Sequence, residues 1–144
     1  LMKISQGNHR SVHVVHLNKA LGPHVEDVDL AFASCVLHHI PPSERLFWVA
    51  EIYNAMKRGG EFFIFEHNPF NPVTQYIVKN SPLDSDAILL RRGEALALCR
   101  SAGFRALTSG YQLITPPNWP FTTLLDFGFS QVPLGTQYWI RAVK

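Results

Sequence analysis

Two short apolar runs separated by a helical pattern dominate the middle of the chain. Residues Leu30–Leu37 and Glu61–Phe65 are mostly apolar and contain small, β-branched or aromatic side chains, which is typical of buried strands. Between them, apolar residues recur at helical spacing over Leu46–Met56, after the N-cap candidate Ser43 and before the stop Gly59-Gly60. The pattern predicts a strand, helix, strand unit with parallel strands, the first of them covered on both faces.

The rest of the chain alternates helix and strand signals. Asn71 is placed to cap a helix Pro72–Lys79, and a second helix Arg92–Ser101 should end at the left-handed turn Ala102-Gly103-Phe104. The other predicted elements are a strand Ser11–Leu17, a strand Arg105–Thr115 with a bulge at Gly110, a short helix Phe121–Phe129 and a last strand Thr136–Val143. Helices and strands in this order predict an α/β protein.

Composition narrows the class of protein. A length of 144 residues with 47% hydrophobic content is enough for one globular domain with a real core. The formal charge of +2 and the absence of any basic run longer than Arg91-Arg92 argue against nucleic-acid binding. No apolar run approaches the ~20 residues that cross a bilayer, so we expect no membrane association and a cytoplasmic location. Cys35 and Cys99 lie in apolar stretches without metal-ligand spacing, which indicates free thiols.

Polar side chains follow the two central strands at the points where they end. His38 and His39 come directly after the first strand, and Glu66-His67-Asn68 come after the second. Open α/β sheets bind ligands at the carboxyl ends of their parallel strands, so the two clusters predict a ligand site. Adjacent histidines point in different directions in either regular backbone conformation, and we therefore expect no metal site. The alternative to a ligand site is that His38 and His39 are loop residues whose side chains form hydrogen bonds to the backbone.

Four segments of the chain resemble the carboxyl-terminal half of a class I, Rossmann-like methyltransferase that uses S-adenosylmethionine (SAM). They are DLAFASCVLHHIP, MKRGGEFFIFEHNPFNP, CRSAGF and PLGTQYWIRAVK, and the resemblance covers residues 29–144. It implies a truncated sheet of about four strands, mostly parallel, with the last strand antiparallel. Residues 1–28 are a divergent N-terminal segment, in which Ser11–Leu17 is a candidate replacement for a missing edge strand.

The resemblance also implies roles for the first strand end. Its residues would lie beside the sulfonium of the cofactor, while His39 would be structural. Asp84 and Asp86 are candidates for the same pocket, although an exposed acidic loop explains them better. The residues implied to contact the cofactor are Ala33, Ser34, Cys35 and His38.

At the second strand end the resemblance implies the acceptor side of the site. Glu66 or His67 would act as the general base, and Asn68 and Asn71 would face the methyl acceptor. Local chemistry offers turn and cap roles for both asparagines, and for Asn71 the cap is the better explanation.

The cofactor-binding half of such a domain has no counterpart in this sequence. Before Asp29 there are only two glycines, Gly7 and Gly22, and no Gly-rich turn that could hold a nucleotide. The resemblance implies SAM-dependent methyl transfer to a small molecule as the ancestral function. Without the Gly-rich turn, the isolated chain is expected to be inactive. The alternatives are a non-enzymatic, dimeric binding module or remnant, and one half of a split methyltransferase.

The missing half would leave the strand Leu30–Leu37 with an open apolar edge, and such an edge invites pairing. We expect a homodimer formed through this edge or through a swapped N-terminal segment. Pairing with Ser11–Leu17 and completion by another polypeptide are the other solutions.

Overall fold

A computed structural model describes residues 2–5, 11–14, 25–114 and 122–144. Within them the chain forms six strands and four α-helices, with short 3-10 turns at Leu37–His39 and Pro82–Asp84. The strands are β1 (Met2–Ser5), β2 (Ser11–Val14), β3 (Val28–Ser34), β4 (Met56–His67), β5 (Arg105–Gln112) and β6 (Gln137–Val143). The helices are α1 (Arg45–Ala55), α2 (Pro72–Asn80), α3 (Arg92–Ala102) and α4 (Thr122–Gly128).

Four of the strands form one mixed sheet in the order β3-β4-β6-β5. The pair β3–β4 is parallel, and β6 is antiparallel to both β4 and β5. Three strands therefore run in one direction and the last strand of the chain runs in the other. This confirms the predicted α/β fold with a truncated Rossmann-like sheet.

The N-terminal strands form a separate two-stranded sheet. The predicted strand Ser11–Leu17 is present as β2, and its last three residues lie outside the described part of the chain. β2 pairs antiparallel with β1, from Met2 opposite Val14 to Ser5 opposite Ser11. Among the described strands, β3 has a hydrogen-bonded neighbour on one side only, which is β4.

In the described part of the chain, α1 and α3 pack on one face of the four-stranded sheet. Phe62, Ile64 and Ile140 point to this covered face and are completely buried, in a core that α1 and α3 complete with Val49 and Cys99. Burial raises the pKa of the Cys99 thiol to about 12.

The opposite face of β3 is open. On this face Leu30 is 60% exposed and Phe32 is 74% exposed. Ala33, which points to the covered face, is buried. The prediction that this strand is covered on both faces is therefore wrong. Side chains alternate between the faces of a strand, and α1 and α3 cover only the face that carries Ala33.

The boundaries of α1 also differ from the prediction. The helix begins at Arg45, with Glu44 rather than Ser43 at the N-cap position, and it ends at Ala55. Met56 already belongs to β4 and pairs with Val28, so the glycine pair lies inside a strand instead of terminating the helix. A side chain at Gly60 would contact the Val28 carbonyl oxygen at 2.9 Å, which explains the glycine there.

The later helices confirm the sequence pattern. The Asn71 side chain accepts hydrogen bonds from the Val73 and Thr74 amides and caps α2, as predicted. Gly103 has a φ of 109° and ends α3 in the predicted left-handed turn. No helix in the described residues has the length and hydrophobicity that crossing a membrane requires.

The predicted bulge at Gly110 is wrong. Gly110 pairs regularly with Trp139, and the register shift in β5 lies earlier, between Arg105 and Thr108. A Cβ at Gly110 would lie 3.0 Å from the Trp139 ring nitrogen, so the glycine accommodates the indole.

Candidate functional site

The carboxyl ends of β3 and β4 meet, as parallel pairing requires. Ser34 is in register with Phe65, and the residues that follow each strand lie side by side. Here His38 packs against Glu66, and Asp84 from the turn after α2 approaches from outside. The structure thus brings together two of the predicted groups, one from each strand end, and adds a third from a distant segment.

Glu66 lies on the covered face and is completely buried. Its Oε1 accepts hydrogen bonds from the amides of Val36, at 3.0 Å, and Leu37, at 2.7 Å. Its Oε2 lies 2.6 Å from His38 Nδ1. The carboxylate therefore orders the turn after β3 and orients the imidazole of His38.

His38 is buried between two carboxylates. Its Nδ1 faces Glu66, and its Nε2 lies 3.3 Å from Asp84 Oδ1. Burial alone would lower the pKa of His38, but hydrogen bonds and charges from Glu66 and Asp84 outweigh it and raise the pKa. Conversely, hydrogen bonds from Ser81 and from His38 lower the pKa of Asp84.

His39 meets the same acidic segment from the solvent side. Its Nδ1 lies 3.1 Å from Asp86 Oδ1, and its Nε2 lies 3.5 Å from Asp84 Oδ1. The ring centroids of His38 and His39 are 4.2 Å apart. The expectation that the adjacent imidazoles diverge is wrong, because Asp84 lies within reach of both.

His67 follows Glu66 in β4 and therefore points to the open face of the sheet. The imidazole is half-buried, and its ring centroid lies 5.1 Å from that of His38. Burial, and then the neighbouring His38, lower the pKa of His67. The neutral imidazole is thus favoured, and this form can accept a proton.

Asn68 and Asn71 hold the loop that leads into β6. Asn68 is buried, and its amide nitrogen donates to the carbonyl oxygens of Pro133 and Gly135 at 3.0 and 2.7 Å. The Asn71 amide nitrogen donates to Leu134 O at 2.7 Å, while its oxygen caps α2. Both side chains are thus engaged with backbone. Their predicted contact with a methyl acceptor stays a prediction.

The residues predicted to contact the cofactor lie at the end of β3 in different environments. Ala33 is buried and Ser34 is exposed. Cys35 is half-buried and has a φ of 53°, in the left-handed region that a non-glycine residue rarely adopts. Its amide donates to Phe65 O at 2.8 Å, so the strand ends in a fixed turn. Burial, and then the charge of Glu66, raise the pKa of its thiol.

Asp84, in the segment after α2, is more buried than the sequence predicts. The Asp84 side chain is only 15% exposed, whereas an exposed loop was the favoured explanation, and Asp86 is 72% exposed as expected. A motif in sequence could not reveal this contact, since His38 and Asp84 are 46 residues apart.

A cavity of about 430 Å³ lies at the other end of the sheet, away from this cluster. It is lined by Tyr53, Arg58, Gly103, Arg105, Ala106, Val143 and Lys144.

Comparison with solved structures places this fold among methyltransferases. A SAM-dependent methyltransferase from Thermotoga maritima matches with a TM-score of 0.64 and 20% identity, over 85% of this chain and 60% of its own. One from Archaeoglobus fulgidus matches with a TM-score of 0.61 and 14% identity, over 83% of this chain and 60% of its own. Human N-acetylserotonin methyltransferase in complex with SAM matches with a TM-score of 0.54 and 20% identity, over 81% of this chain and 29% of its own.

The chain spans about three-fifths or less of the length of these neighbours. It therefore has a partial methyltransferase fold. No protein-family model and no curated protein matches the sequence.

Proposed function

We propose that this chain is the second half of a SAM-dependent methyltransferase domain that acts on a small molecule. One observation carries the proposal. The polar residues that end β3 and β4 meet at the carboxyl edge of a partial methyltransferase fold, where His38 contacts Glu66. In open α/β sheets this edge is where ligands bind. Because one fold serves many functions, the proposed activity rests on these side chains as well as on the fold.

The residues present fit one wall of a cofactor site. The exposed Ser34 and the fixed turn at Cys35 are the groups that would contact SAM, together with the buried Ala33 and His38 behind them. When bound, SAM supplies the methyl group that is transferred. The Gly-rich turn that would hold its nucleotide is not in these 144 residues, so we infer that the chain alone is inactive.

Of the two candidate bases, the contacts favour His67. Glu66 is completely buried and both of its oxygens are engaged, by two amides and by His38. His67 faces the open side of the sheet, and no hydrogen bond to its imidazole occurs among the described residues. A neutral imidazole there would take the acceptor's proton while Glu66 keeps the strand end in place.

Calorimetric titration with SAM and with S-adenosylhomocysteine tests the proposal. We expect no binding to the chain alone, and micromolar binding once a polypeptide carrying the Gly-rich half is added. In that assembled form His67→Gln should lower methyl transfer by about 10²–10⁴-fold without weakening SAM binding. Absence of binding in the assembled form would contradict the methyltransferase proposal, and tight binding to the chain alone would contradict its inactivity.

A second candidate function is a dimeric binding module without catalysis. The open face of β3 favours it, because Leu30 and Phe32 expose apolar surface beside an unpaired strand edge. We propose a homodimer through this edge or through exchange of the N-terminal segment with β1 and β2.

Sedimentation velocity of the full chain tests this association. We expect a dimer at micromolar concentration and a monomer for Phe32→Asp. Leu83→Asp is the matched control, since Leu83 is 85% exposed but lies in the turn before Asp84. A monomeric wild-type chain would contradict the homodimer. The two free cysteines agree with the proposed cytoplasmic location.

A further inference from the structure

Three potential ligand atoms converge on the solvent side of the buried glutamate. They belong to His38, His39 and Asp84, and all lie within 4.8 Å of one another. Both Nε2 atoms face the same carboxylate oxygen, Asp84 Oδ1, at 3.3 Å for His38 and 3.5 Å for His39.

The contacts of the two Nδ1 atoms determine which ring nitrogen of each histidine carries a proton. The Nδ1 of His38 faces Glu66, and the Nδ1 of His39 faces Asp86, at 2.6 and 3.1 Å. A carboxylate only accepts hydrogen bonds, so each Nδ1 is the donor and each neutral ring keeps its lone pair on Nε2. Those lone pairs then meet an Asp84 oxygen that also has no proton. Three acceptors together are unfavourable, and either a proton on His38, whose pKa the two carboxylates raise, or a cation bound among the three atoms relieves this.

The spacing and the ligand types fit a transition-metal ion. Tetrahedral ligands at the usual zinc bond lengths of about 2.0–2.1 Å are separated by roughly 3.4 Å, close to the two distances to Asp84. Two imidazoles and one carboxylate are a common ligand set for Zn²⁺ and related divalent ions. Ligating histidines typically donate their other ring N–H to a carboxylate, as both histidines do here.

The groups also leave room for the ion to enter. The His38 side chain is completely buried, but Asp84 is 15% exposed and His39 is 34% exposed, so one side of the cluster is open to solvent. A remaining coordination position would be filled by water.

We propose that His38, His39 and Asp84 form a binding site for a zinc-class divalent metal ion, with Glu66 and Asp86 orienting the two imidazoles. The site stands on the contacts of these side chains alone and does not depend on methyl transfer.

Titration of the full chain with Zn²⁺ by calorimetry, and with Co²⁺ by its visible absorption, tests the site. We expect one ion per chain with a d–d spectrum of a low-coordinate nitrogen and oxygen site. His39→Ala and Asp84→Asn should each abolish this binding, whereas the matched control His67→Gln should keep it. Circular dichroism checks that each variant remains folded.

A milder variant and a background variant make the test independent of folding. Asp86 is 72% exposed, so Asp86→Asn leaves the fold intact and should weaken binding by about 10- to 100-fold. Replacement of the N-terminal histidines His9, His13, His16 and His24 by Gln should leave the affinity unchanged. No binding by the wild-type chain, equal binding by His39→Ala, or loss of binding with the N-terminal histidines would each overturn the proposal.

Discussion

The two faces of the four-stranded sheet carry similar side chains in opposite environments. Phe62 and Ile64 on β4 are completely buried beneath α1 and α3. Leu30 and Phe32 on the adjacent strand β3 are 60% and 74% exposed on the other face. All four side chains are apolar and suited to a core. They differ in environment because α1 and α3 cover only the first pair.

The difference indicates that the fold depends mainly on the covered face, whereas the exposed side chains of β3 add little to the core. Exposed apolar patches on soluble proteins usually mark binding surfaces. The polar groups divide in the same way, because Glu66 points to the covered face and His67 to the open one. Three sets of substitutions test the division.

The largest effect is expected for the aromatic core of the covered face. Phe62→Ala removes a ring that is completely buried and stacked near Phe104, and should lower the free energy of unfolding by about 3–5 kcal/mol. Phe32→Ala, measured at a concentration where the chain is monomeric, should change it by less than about 0.5 kcal/mol. Urea unfolding followed by circular dichroism gives both values. Equal losses would mean that the two faces are equally packed.

An intermediate effect is expected where a carboxylate orders the strand end. Glu66→Gln keeps the shape of the side chain but removes the negative charge of the carboxylate, whose oxygens accept hydrogen bonds from Val36, Leu37 and His38. This substitution should destabilise the fold by about 2 kcal/mol. His67→Gln, one residue further and on the open face, should cost less than about 1 kcal/mol. The same unfolding measurement applies, and a reversed order would contradict the assignment of the two residues to opposite faces.

The smallest effect is expected for the ion pair on the open face. A hydrogen bond from Arg141 lowers the pKa of Glu61 below its ordinary value of 4.5. Because the pKa is lower in the folded state, the pair stabilises the fold above pH 4.5 and this stabilisation is lost as the pH falls through the folded-state pKa.

The matching measurement compares the wild-type chain with Glu61→Gln. Unfolding midpoints should differ slightly near neutral pH and coincide in acid. The difference should also shrink with added salt, because the pair is exposed to solvent. A difference that grows on acidification would contradict this interpretation.

Much of the fold was predictable because the periodicity of apolar residues reflects local packing. The helices and the caps at Asn71 and Gly103 depend on contacts within a few residues. The open face of β3 was not predictable in the same way. Leu30 and Ala33 both look like core residues, and only the sheet as a whole reveals which side has a covering helix.

The contact between the two strand ends of the candidate site was predictable, whereas the contact with Asp84 was not. His38 and Glu66 are grouped by the rule that parallel strands end at one edge. The contribution of Asp84 depends on where the segment after α2 packs, and no short-range pattern encodes that contact.

The alternation of Glu66 and His67 makes the sheet edge sensitive to the length of β4. A single-residue deletion before Glu66 would shift every following side chain to the other face. The buried acid would then meet solvent, and an imidazole would replace it beneath the turn at Val36 and Leu37, where it could not accept from both amides. The spacing of β4 therefore specifies the chemistry of both surfaces at once.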